Sequence, residues 1–123
     1  MYEYEREFNE ALLEAVDEAL LALGESVRQA IYWYLENKYS VKKSEIPNKI
    51  GEFEEALSNM LGAAANIILK IIIKKLYAKF KLNYEEKPEW KLKNHIEGIK
   101  RFLNFSFCYK NTKIKFIFNE FSS

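Results

Sequence analysis

The chain has 123 residues, of which 49% are apolar and 30% charged, with four Gly, two Pro and one Cys. That is one globular domain with a single core, rather than a disordered chain. The lone Cys108 excludes an internal disulfide framework and a cysteine-based zinc site. The net charge of +1 hides an asymmetry. Residues 1–62 carry 13 acidic against 6 basic side chains, and residues 63–123 carry 5 against 13. Opposed halves predict either packing of one against the other or a charged docking face.

With one Thr and three Val, β-branched residues other than Ile are rare. The composition predicts an all-α fold of about five helices. The acidic start Met1-Tyr-Glu-Tyr-Glu-Arg-Glu predicts no secretory leader and a cytoplasmic protein. Met60–Ile73 is the most apolar stretch, but Lys70 interrupts it. It is shorter than the roughly 20 apolar residues of a spanning helix.

A first helix is predicted over Tyr2–Leu23. Phe8, Leu12, Ala15, Val16, Ala19, Leu20 and Leu23 share one face by their spacing of three and four. Glu3, Glu7, Glu10, Glu14 and Asp17 form an acidic stripe. It reads as a solvated face or a dock for a basic partner, since one helix face makes a poor cation cage. Gly24 stops the helix.

Ser26, with Gln29 three residues on, predicts a capping box opening the second helix. Its inward face is Val27, Ala30, Ile31, Tyr34 and Leu35, leaving Tyr32 and Trp33 off that face. Aromatics so placed anchor interfaces or fill a second buried face. Tyr39–Asn48 reads as a connection anchored by Ile46, and Gly51–Leu61 as a short third helix ended by Gly62.

The fourth helix, Ala63–Phe80, is apolar around most of its circumference and is read as central. A fifth is predicted over Glu89–Leu103 with Trp90, Ile96, Ile99 and Phe102 inward. A helical domain is thus placed at 1–104 and an extension at 105–123. The extension partly alternates apolar and polar residues about Lys110-Asn111-Thr112. It reads as a β-hairpin leaning on the helices, or as a tail.

No Gly-rich phosphate loop or Glu-x-x-His pair occurs. The only histidine, His95, reads as a partly exposed helix residue rather than a catalytic base. The sequence therefore predicts a non-enzyme with no cofactor and no metal. The basic strip of Lys70, Lys74, Lys81, Lys91, Lys100 and Arg101 supports an alternative, a nucleic-acid-binding regulator. Arginine, the main reader of bases, is scarce.

The block Gly24-Glu-Ser-Val-Arg-Gln-Ala-Ile-Tyr-Trp-Tyr-Leu-Glu-Asn-Lys-Tyr39, with Lys43-Ser-Glu-Ile-Pro47 and Phe53-Glu-Glu-Ala-Leu57, resembles a small archaeal family. That family is the nitroso-archaeal output domain, NitrOD. Lys74-Lys75-Leu76-Tyr77 and Glu85-Glu86-Lys87 extend the resemblance, which spans about residues 8–101. The resemblance implies an all-helical domain, alone or joined to signalling modules, with no known catalysis. It also implies a KaiC-like RecA-type ATPase as partner. Unlike the fused forms, the chain is expected to carry no sensor domain, and a signal is then expected to arrive through a partner. If the Gly24–Leu35 block is the signature, Glu25, Ser26, Arg28, Gln29, Tyr32 and Trp33 are the candidate surface. The expected function is a protein-interaction or signalling-output domain that binds another protein and self-associates as a homo-oligomer.

Overall fold

The computed structural model describes residues 3–110, with side chains from residue 5 to residue 104. These residues form five α-helices and one short 3-10 helix, with no strand among them. The helices are α1 (Glu3–Leu21), α2 (Glu25–Lys38), α3 (Ile50–Leu61), α4 (Ala64–Lys79) and α5 (Leu92–Lys110). The 3-10 helix, Lys43–Asn48, joins α2 to α3. None of the described helices is long and apolar enough to cross a membrane.

α4 and α1 form the heart of the array. α4 packs on α1, α3 and α5, and α1 also meets α2 and the 3-10 helix. Phe8, Leu12, Ala15, Val16, Ala19 and Leu20 of α1 are fully buried, as their spacing predicts. Across from them, Ile68, Leu69, Ile72, Ile73 and Leu76 of α4 are buried. Each such side chain contributes about 1.5–3 kcal/mol when fully withdrawn from water. α4 is nevertheless not enclosed all round, because Ile67 is 64% exposed. Ile46 is completely buried and pins the 3-10 helix to the core.

The acidic and basic halves do meet along this pair. Lys79 of α4 lies 3.3 Å from Glu18 and 3.5 Å from Glu14 of α1. The link is local, since Glu7 and Glu10 remain exposed.

Several expectations are corrected. α2 begins at Glu25, and Ser26 is inside the helix rather than capping it. Gly24 occupies the cap with φ +107 and ψ 153 and makes no side-chain cap. Gln29 instead donates to the Glu25 carboxylate at 2.9 Å. The cause is the short link: Gly24 turns the chain at once, so the helix starts one residue early.

α5 starts at Leu92, three residues later than expected, and runs on through Lys110. Phe105–Lys110 is therefore helix, not the first arm of a hairpin. Among the described residues no strand is present to pair with this segment, and local i, i+4 bonding prevails over its partial alternation. The boundary drawn at residue 104 falls inside this helix, and the expected turn at Asn111-Thr112 and second arm lie outside the described residues.

Candidate functional site

Two surface regions stand out: the outer face of α2, and a cleft bordered by α3, α4 and the segment leading into α5.

α2 touches α1, α3 and the 3-10 helix, but not α4 or α5. Only Ile31 and Leu35 are buried. Val27, Ala30 and Tyr34, assigned inward by periodicity, point outward: Val27 is 39% and Tyr34 46% exposed. Trp33 is 60% exposed and meets the Tyr34 ring edge-on at 5.2 Å. At 100° per residue, Trp33, Ser26, Asn37, Ala30, Tyr34 and Val27 occupy one sector of about 120° without a charge. Just before it, Leu23 is also exposed. Sequence periodicity missed the outward set because two apolar sectors abut on one short helix. The core needs only the sector holding Ile31 and Leu35.

The other residues of the expected surface are spent on holding α2 in place. Arg28 donates two hydrogen bonds to the Glu25 carboxylate, at 2.6 and 2.9 Å, and another to Asp17 of α1. The Tyr32 hydroxyl donates to Asp17 at 3.0 Å. Lys43 of the 3-10 helix reaches Asp17 at 3.4 Å and lies 4.9 Å above the Tyr32 ring. Desolvation opposes ionisation of Asp17, but the bonds from Arg28, Tyr32 and Lys43 outweigh it and hold its carboxyl below 3.8. Burial, together with the bond to Asp17, pushes the Tyr32 phenol up. Arg28 is held more strongly protonated by Glu25 and Asp17. Asp17 of α1, Glu25, Arg28 and Tyr32 of α2 and Lys43 of the 3-10 helix thus form a three-element clasp, with Gln29 braced on Glu25, while Trp33 and Ser26 of the expected set belong to the open face.

The basic strip is partly neutralised. Lys70 pairs with Glu86 at 2.9 Å, and Lys74 lies 5.7 Å over the Tyr84 ring. Lys100 sits 5.0 Å over the Phe8 ring. Lys81, Lys91 and Arg101 are exposed. Among the described residues, Glu85, Glu86 and Glu89 interrupt the strip.

The cleft has a volume of about 930 Å³ and is bordered by Glu54, Lys70, Tyr84, Lys87, Trp90 and His95, among others. His95 is not partly exposed as expected; it is 2% exposed. Leu92, Ile96 and Ile99 are its buried neighbours on α5, and that shared spacing is the signal that places it inward. Its Nδ1 shares a 3.0 Å hydrogen bond with the Tyr77 hydroxyl. The rings of Tyr77, Tyr84 and Trp90 surround it at 5.7, 5.9 and 5.1 Å. Trp90 and Phe102, expected inward, are 41% and 50% exposed. His95 bonds to Tyr77, not to the Ser58 that also borders the cleft, so the arrangement is not a nucleophile–base pair. No three His, Cys, Asp or Glu side chains converge on a metal-sized space among the described residues.

Compared with known proteins, the chain matches no family model, no curated protein and no solved structure.

Proposed function

We propose that the protein is a non-enzymatic interaction module that docks a protein partner on the outer face of α2. One observation carries this reading. A charge-free, aromatic-bearing sector containing Trp33, Tyr34 and Val27 beside the polar Ser26 and Asn37 faces solvent on a chain that is 30% charged. Exposed, contiguous aromatics of this kind cost solubility unless a partner covers them, and Trp and Tyr are the residues that most often anchor interfaces. The clasp of Asp17, Arg28, Glu25 and Tyr32 supports the same reading, because it orients α2 without using that sector.

The partner class drawn from the resemblance is a KaiC-like RecA-type ATPase, and a second copy of the chain is the other. A purified KaiC-like ATPase and a tagged second copy are each passed over immobilised wild type and over Trp33→Ala/Tyr34→Ala. Wild type is expected to retain at least one of them, and the variant, with unchanged circular dichroism, to lose it. Equal retention by both proteins removes α2 as the docking face. Retention of neither by wild type overturns both partner assignments.

A further inference from the structure

α4 and α5 are joined by residues 81–91, a strap without helix or strand. Few backbone bonds hold it: Lys81 N–H donates to the Ala78 carbonyl, Leu82 N–H to that of Tyr77, and Trp90 N–H to that of Lys87. Side chains do the rest. Tyr84 stacks edge-on with Tyr77 at 5.6 Å and donates to Glu86 at 3.3 Å, and Glu86 is tied to Lys70. At the far end, Trp90 packs on His95 at 5.1 Å, under Lys87 at 5.0 Å. The His95 ring lies against both Tyr84 and Trp90 of the strap.

We propose that the strap is a pH-operated latch, held down while the His95 ring is uncharged and released from Tyr84 and Trp90 when that ring takes a proton. The strap supplies one wall of the cleft, through Tyr84 and residues 86–91. Its release therefore reshapes that space.

Burial sets the direction, and the charges around the ring modify it. The strap presents Glu86 and Lys87; α4 presents Tyr77, with Lys70 and Lys74 engaged by Glu86 and Tyr84. α3 presents Glu54, which accepts weakly from the Leu92 N–H at 3.5 Å. Burial disfavours the imidazolium most, and Lys87 adds to this, while Glu86 opposes. Cation–π attraction to the surrounding rings offsets part of the cost. The net effect holds His95 below its ordinary 6.5. The unlatched strap exposes the ring to water and restores its affinity for a proton. Latched and unlatched states thus differ in protons bound. The latched state is fully favoured above about pH 6.5 and loses ground as pH falls below it.

The test reads Trp90 emission in a Trp33→Phe background, where it is the remaining tryptophan, from about pH 8 to about pH 5. A red shift is expected with its midpoint below 6.5, with far-UV circular dichroism unchanged. Lys87→Gln removes the like charge and is expected to move the midpoint upward, and His95→Gln to abolish the transition. Absence of the shift, its survival in folded His95→Gln, or loss of helix in step with it overturns the latch. If His95→Gln fails to fold, the Lys87→Gln comparison decides: an unmoved midpoint overturns the proposal.

Discussion

Gly24 holds φ +107 and ψ 153, a region of backbone space that is in effect reserved for glycine. A Cβ there would meet nothing within 4 Å, so the cost of Gly24→Ala is strain and not collision. Denaturant titration is expected to show a loss of about 1–3 kcal/mol. Gly51, also free of neighbours but inside α3, supplies the opposite case. Gly51 is the second residue of α3, in its first turn, so Gly51→Ala is expected to stabilise by no more than about 0.5 kcal/mol. Asp17 is the residue on which the clasp converges, and its side chain is about a third exposed (33%), so solvent discounts its bonds. Asp17→Asn is expected to lower stability by about 1 kcal/mol at neutral pH. Because its carboxyl is held below 3.8 when folded, that contribution is present above this pH and fades below it. The gap between the unfolding curves of the two proteins should accordingly be smaller near pH 3 than at pH 7. The clasp was half legible: the sequence named Glu25, Arg28, Gln29 and Tyr32 and allowed Arg28 a carboxylate of the first helix as partner, but did not single out Asp17 or bring Lys43 beside them.

At the scale of elements, α4 offers an internal control. Ile72 is fully buried and Ile67 is 64% exposed, five residues apart on one helix. Ile72→Ala is expected to cost about 2–5 kcal/mol by thermal or chemical melting, and Ile67→Ala no more than about 0.5 kcal/mol. Equal costs would mean that α4 is covered on both sides. Periodicity located α1, α3 and α4 to within a residue or two because their inward residues recur at helical spacing and glycines mark their ends. It misjudged α2 and α5 for different reasons. On α2 the apolar residues outnumber what the core accepts, and spacing does not say which sector is covered. On α5 the start follows from Pro88 and the turn at Trp90, while the strand-like pattern after residue 104 competes with a helix already under way. His95 was misplaced although Leu92, Ile96 and Ile99 flank it at the right intervals. A polar residue on an apolar face reads as exposed unless its hydroxyl partner, here Tyr77, is known.

For the molecule as a whole, among the described residues the division of charge between the two halves is met by contact at one place, the Lys79 bridge to α1. Such half-exposed pairs are worth about 1 kcal/mol or less, so the dipole is left largely uncompensated. Lys79→Met keeps the aliphatic stem and removes the charge. It is expected to change stability by less than about 1 kcal/mol, measured by urea titration at low salt. A much larger loss would show that the acidic and basic halves are held together electrostatically rather than by the Phe8–Leu20 and Ile68–Leu76 faces.

The peripheral seat of α2 has a dynamic consequence. With Ile31 and Leu35 as its buried anchors and no contact to α4 or α5, this helix can detach while the α1–α4 pair stays assembled. Amide deuterium uptake should therefore be faster along Glu25–Lys38 than along Ala64–Lys79. Anything that seats on Trp33 and Tyr34 would slow the first segment and leave the second unchanged, which makes isotope exchange a reporter of occupancy that requires no label on the partner.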